Sequence, residues 1–306
     1  MASTPSMRTR NPAVSGLLKA LCLLGFGLGA AMSAMAQDGG GFGLLLDTGL
    51  TFDDNTTRAK VSTDKLSDSA YSLNISKSKF FPVSTQSRLL LTGVVGAERF
   101  QTYTGLSNVG AAAEAELQFR ESSEFLAPTL GLFAKIKVED YQSHLRDGNR
   151  YTLGVSLSQP LTDRINLFTA LASNQRTSKS QVFSTADTSA RLNLDYALSS
   201  HKALYLSAEY RLGDVVSTGR SSLESVTISK VFVLDNAFTG GEFFSYKING
   251  STWLTTVGYN HALGPNGSID VAWRRVESTP ELRPAWATSP RSYVSNQLLA
   301  PFLLRF

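Results

Sequence analysis

Cysteine is almost missing from this chain: its 306 residues hold one, Cys22. That residue falls inside an apolar leader, Ala20-Leu-Cys-Leu-Leu-Gly-Phe-Gly-Leu-Gly-Ala-Ala, after Lys19-Ala20-Leu21, which is not a lipoprotein-anchoring box. We read it as one more apolar residue. The mature chain then carries no thiol, which excludes disulfides, thiolate metal sites and a cysteine nucleophile. Histidine is scarce as well, at three. Beyond the leader no run approaches the roughly 20 apolar residues that a membrane helix needs. A chain of this kind that crosses a membrane must do so with strands.

Residues 1–36 read as a cleaved secretory signal, with Arg8, Arg10 and Lys19 before or at the edge of the apolar core and Ala34-Met-Ala36 as a small-residue cleavage site. The leader takes three basic residues and no acidic ones, so the net charge falls from +4 to +1 in the mature chain. No basic stripe is left to argue for nucleic acid. Residues 37–306 show no linker, no low-complexity tract and no capped segment of helical period, and form one domain.

What recurs instead is a strand followed by a turn. The candidates are 42–52, 70–80, 88–102, 111–120, 129–141, 151–158, 165–176, 186–198, 203–212, 223–234, 242–248, 252–263, 268–277 and 293–306. That is about fourteen strands, with a tight turn expected at Asn249-Gly250. Short connections, at 82–86, 122–127, 160–164, 199–202 and 264–267, alternate with mostly longer ones. A soluble sandwich has no reason to alternate in this way, whereas a membrane barrel puts short turns on one side and longer loops on the other.

The faces carry the same message. Leu130, Leu132, Ala134, Ile136 and Val138 alternate with Lys135, Lys137 and Glu139, and Ala113, Ala115, Leu117 and Phe119 alternate with Glu114, Glu116, Gln118 and Arg120. Arg191 and Asp195, Glu209 and Arg211, and Asp270 and Arg274 occupy polar rows opposite Leu, Tyr, Val and Trp. Tyr71, Phe119, Tyr151, Tyr196, Tyr210, Trp253, Tyr259 and Trp273 fall on the apolar rows, often near strand ends, where an interfacial aromatic girdle belongs.

The last stretch, Tyr293-Val-Ser-Asn-Gln-Leu-Leu-Ala-Pro-Phe-Leu-Leu-Arg-Phe306, sets Leu298, Ala300, Phe302, Leu304 and Phe306 on one face and ends on an aromatic residue. Here the chain resembles the Gram-negative outer-membrane β-barrel proteins, whose final strand ends typically in Phe. The resemblance implies that Phe302, Leu304 and Phe306 are read by the barrel-assembly machinery. It also implies outer-membrane lipid and lipopolysaccharide as surroundings. Pro301 departs from the pattern, since it removes one ladder hydrogen bond.

Candidate chemistry is sparse. His144 lies in Asp140-Tyr-Gln-Ser143-His144-Leu-Arg-Asp147, where a carboxylate-oriented imidazole would activate Ser143 or a water. Neighbouring residues on a strand point to opposite faces, so we read this as loop decoration and expect no enzyme. Asp53, Asp54 and Asn55 offer oxygen ligands for a divalent cation, but turn chemistry is the favoured reading. No metal or cofactor is expected.

The expectation is therefore an all-β fold, a transmembrane antiparallel up-and-down β-barrel in the outer membrane. Its lumen is lined by Glu114, Glu116, Lys135, Lys137, Arg191, Asp195, Glu209, Arg211, Asp270 and Arg274, with Glu114 facing Lys135. Both signs along the wall point to a weakly selective channel for small polar solutes. The rivals are a non-conducting partner in an envelope assembly, a rim enzyme at His144, and a soluble exported sandwich.

Overall fold

Residues alternating between two solvents need a surface with two different sides, and a closed sheet supplies one. The computed structural model describes residues 43–122, 124–238 and 242–306. The expected leader and cleavage site, with Cys22, lie outside them. The strands are β1 (Leu44–Asp53), β2 (Asp68–Pro82), β3 (Ser87–Phe100), β4 (Asn108–Arg120), β5 (Thr129–Tyr141), β6 (Gly148–Pro160) and β7 (Ile165–Ser178). They continue with β8 (Thr185–Ala197), β9 (Lys202–Arg220), β10 (Val231–Leu234), β11 (Phe243–Ala262), β12 (Gly267–Pro280) and β13 (Tyr293–Arg305). Every pairing is antiparallel. Each strand pairs with the next around the ring, β9 pairs with β11, and β13 returns to β1, so twelve strands close the barrel and β10 stands outside it.

The expected count of about fourteen is thus corrected, and both differences lie between β9 and β12. The segment expected as a strand over 223–234 opens with a short helix, α1 (Leu223–Ile228), and keeps only β10 as strand. Val226, Thr227 and Ile228 favour extended backbone, but the Ser222 side chain accepts the Ser225 N–H at 3.1 Å and caps the turn. The second difference is at Asn249-Gly250, which is no turn. Both residues sit inside the ladder of β11, Asn249 opposite Asp214 and Gly250 opposite Gly213 and Pro280. Glycine is required there by proximity, because a Cβ on Gly250 would lie 2.5 Å from the Thr279 carbonyl oxygen.

β9 and β11, at 19 and 20 residues, outrun their neighbours and rise as a paired extension on the long-loop side. β12 reaches β11 only as far as Gly250, and β10 takes the edge left free, pairing Val231 with Lys247 through Leu234 with Phe244.

The outside of the barrel is oily. Leu130, Leu132, Ile136 and Val138 of β5 are exposed, as are Leu153, Leu171, Leu192, Leu204, Val271 and Leu298 around the ring. Such a belt is costly in water and suited to hydrocarbon. Tyr71, Tyr151 and Trp253 stand exposed towards its outer edge and Phe119 and Tyr196 towards its inner edge. On β12 the belt ends above Trp273, where Arg275 and Glu277 face out and pair at 3.3 Å.

A charge on the two faces of one strand should therefore have unequal effects. We expect Leu132→Arg, on the lipid face of β5, to destabilise the barrel in lipid vesicles by ~2–4 kcal/mol, and Ala172→Lys, in the lumen of β7 opposite Gly154 and Ser189, by far less. Urea unfolding of the vesicle-inserted protein measures both; equal losses would contradict the assignment of faces.

Candidate functional site

The inward rows enclose a cavity of about 950 Å³. Its wall carries ten carboxylates and nine basic side chains among the described residues. They are not evenly mixed. The strands β1 to β4 themselves supply Asp47, Asp53, Asp68, Glu98, Glu114 and Glu116 and no lysine or arginine, whereas β5 to β9 supply Lys135, Lys137, Arg150, Arg176, Arg191 and Arg211 beside Glu139, Asp187, Glu209 and Asp214.

Eight of the ten side chains expected to line the lumen border this cavity; Asp195 and Asp270 do not, and lie buried nearer the inner turns. Glu114 is directly opposite Lys135 in the β4–β5 ladder, with 3.8 Å between carboxylate and ammonium. Lys137 pairs with Glu139 at 2.8 Å, and Glu209 takes both Arg191 at 2.8 Å and Arg211 at 2.6 Å. Asp270 accepts the Tyr205 hydroxyl at 2.7 Å, and Arg274 donates to Thr256 and Gln297, each at 3.2 Å. Phe302 and Leu304 lie on β13, and Phe306 ends the chain by donating its N–H to the Leu44 carbonyl at 2.9 Å. Glu139 follows the alternation of Lys135 and Lys137 on the polar row and lines the same cavity, as do Arg150 and Arg176, which went unassigned. Arg150 stands one residue before the strand expected over 151–158, so no strand period marked it.

The outer end is crossed by loops. The segment between β9 and β11 leaves the ring six strand positions from the loop joining β3 to β4, which is the opposite wall. Yet the two touch. A Cβ on Gly105 would lie 2.5 Å from Ala237 Cα, and the Tyr103 and Phe238 rings are 5.2 Å apart. Only a residue without a side chain allows that approach.

This strap is latched by Arg146, whose guanidinium donates to both oxygens of Asp235 and lies 4.2 Å over the Phe183 ring. Asp235 also accepts from Ser245 Oγ at 2.6 Å and the Ala237 N–H at 3.0 Å. Burial pushes its carboxyl up, but these donors and Arg146 outweigh burial and hold it below the ordinary carboxylate range. From the other side the loop after β1 reaches across to β9, where Thr218 N–H donates to Thr57 at 2.8 Å. Its Lys60 meets Glu224 of α1 at 2.6 Å, and Glu224 in turn accepts from Ser289.

The two chemical candidates are tied up in the same structure. Asp53 accepts from Asn55 N–H, Ser295 and Gln297 and pairs with Arg58, and Asn55 takes Thr57 and the Ala59 N–H. Ser143 is buried and its hydroxyl donates to Asn236, while the His144 ring, 2.9 Å from Asp147, is largely exposed. Serine and imidazole do not meet. Asp140, His144 and Asp147 bring one ligand atom each within 4.8 Å, but Lys179 already stands 2.8 Å from Asp147.

No protein-family model matches the chain, and no curated protein sequence matches it. Solved structures do. An outer-membrane channel from Pseudomonas putida F1 superposes with a TM-score of 0.54 at 12% identity, over 88% of this chain and all of that one. The outer membrane phospholipase of Salmonella typhi, a dimer with bound calcium, gives 0.50 at 9% identity over 89% and 96% of the two chains. The KdgM porin gives 0.45 at 10% identity over 86% and 99%. The fold is that of a porin-like outer-membrane β-barrel. At these identities the likeness establishes the fold and no activity, since channels and a phospholipase share it.

Two outcomes test this account of the closure. Asp235→Ala strands a buried guanidinium, a loss of ~3–5 kcal/mol confined to the strap; limited proteolysis should then cut between β10 and β11 while the barrel keeps its heat-modifiable migration. Asp147 is subject to a burial that raises its pKa, but Lys179, the Tyr141 N–H and His144 outweigh it and draw the carboxyl down from 3.8 to about 2. Its contribution is therefore present above pH 3.8 and is lost as pH falls through about 2. Hydrogen exchange at the Tyr141 amide, which donates to Asp147 at 2.8 Å, should accelerate across that window in the wild type and not in Asp147→Asn.

Proposed function

We propose that this protein is an outer-membrane channel for small polar solutes, weakly selective between cations and anions, with a loop strap across its outer mouth. The observation that carries the reading is the cavity of about 950 Å³ lined by nearly equal numbers of carboxylates and cations. A wall of both signs lowers the barrier to polar solutes generally and leaves little net field to exclude either sign. In this reading the apolar belt sits in lipid, lipopolysaccharide lies outside, and the assembly machinery reads Phe302, Leu304 and Phe306 as the barrel enters.

A second reading follows from the strap. A barrel whose mouth is spanned from wall to wall also suits a non-conducting membrane partner in an envelope assembly. Planar-bilayer recordings separate the two. As a channel, the wild type carries a small or flickering current with a reversal potential near zero in a salt gradient. Asp235→Ala and the double variant Arg146→Ala/Asp235→Ala both raise the open fraction. A protein that migrates as a folded barrel and carries no current in any of the three forms is a scaffold, and the channel reading fails.

A further inference from the structure

The β5, β6 and β7 ladders bring three cations into line. Lys137 is directly opposite Arg150, and Arg150 is directly opposite Arg176. Like charges in direct register repel across a sheet, and the repulsion is stronger along a wall of lower dielectric than water. A single carboxylate answers all three: Glu139 is 2.8 Å from Lys137, 3.4 Å from Arg176 and 3.9 Å from Arg150. Two further carboxylates of the wall are held by amides. Glu98 accepts from Asn108 Nδ2 at 3.2 Å and Asp187 from Asn174 Nδ2 at 2.9 Å, and neither makes a salt bridge among the described residues.

The rung also has donors to spare. Nε of Arg150 and Nε of Arg176 are buried without a hydrogen-bond partner, an arrangement that costs energy unless something completes it. Arg176 is fixed, its guanidinium 5.3 Å over the Tyr141 ring and its Nη2 donating to the Arg146 carbonyl at 2.9 Å. Lys137 and Arg150 are freer, their side chains 36% and 43% exposed to the lumen. One anchored fork, one lumen-exposed fork and one point charge make a receptor for a group with several acceptor oxygens.

We propose that Lys137, Arg150 and Arg176 form a binding site for an oxyanion group, a carboxylate or phosphate, carried by a solute in the lumen. The inference rests on the channel reading only in needing a lumen that admits such a solute. Glu139 holds the three cations at their stations and competes with the anion for them. Removing it should therefore strengthen binding, which a merely structural carboxylate would not do.

The test is isothermal titration calorimetry on the full-length, refolded barrel in detergent at low ionic strength, with inorganic phosphate and with succinate as probes. Saturable binding of at least one is expected, and the two arms tell a phosphate site from a carboxylate site. Arg150→Gln and Arg176→Gln should each weaken it ~tenfold, as loss of a charge-assisted hydrogen bond does. Glu139→Gln should tighten it, and Lys202→Gln at an inner turn should leave it unchanged. Heat-modifiable migration checks that each variant folds; should Arg176→Gln fail, Arg150→Gln and the lumen-exposed Lys137→Gln decide. The proposal is overturned if neither probe binds saturably, or if folded Arg150→Gln and Lys137→Gln barrels bind as the wild type does. Binding without current would sink the channel reading and keep this one; current without binding would do the reverse.

Discussion

In hydrocarbon a backbone N–H or C=O without a partner costs several kcal/mol, so a sheet there must have no edge. The pairing of β13 with β1 meets that demand. It runs from Leu45 opposite Arg305 to Asp53 opposite Gln297 and turns twelve strands into a ring. On the other side of β13 the ladder is interrupted. The β12–β13 ladder passes from Ile269 opposite Phe302 to Ala272 opposite Leu299 and omits the positions beside Pro301 and Ala300. Proline has no N–H to give, so the loss is confined to the strand edge where Pro301 stands, and β1 still holds Pro301 opposite Gly49.

Closure then dictates the interior. With the outer row committed to lipid, charged residues of the spanning strands face inward or lie beyond the edges of the belt, as Lys77 and Lys79 do at the inner end of β2, and along the wall they are screened less than in bulk water. The wall answers by sharing carboxylates: Glu209 serves two arginines and Glu139 serves three cations. Buried pairs of this kind add little stability against apolar isosteres and cost much when half is removed.

Most of the ring was legible in the sequence because strand period and belt chemistry agree there. From β1 to β9 each expected strand has a counterpart, shifted by a few residues, and Glu114 and Lys135 meet as the turn at 121–128 implies. The stretch between β9 and β12 was misread for a physical reason: above the belt there is no lipid to enforce alternation. Local preferences then compete on equal terms. A capped turn at Ser222 overrides three β-branched residues, and close contact with Thr279 explains a glycine whose Asn-Gly context signals a hairpin elsewhere. The strap was illegible for a different cause. Arg146 and Asp235 are 89 residues apart, and nothing local marks either as the other's partner.

Closure at the mouth and charge at the wall meet in one residue. The Arg146 side chain grips the strap through Asp235, while its backbone carbonyl takes the Arg176 guanidinium. Arg176 in turn leans on Glu139, so the path from strap to lumen wall is a chain of direct contacts about two residues long. Groups in one network do not contribute separable energies. Strap and lumen wall are thus joined through a single arginine, by direct contacts on both sides of it.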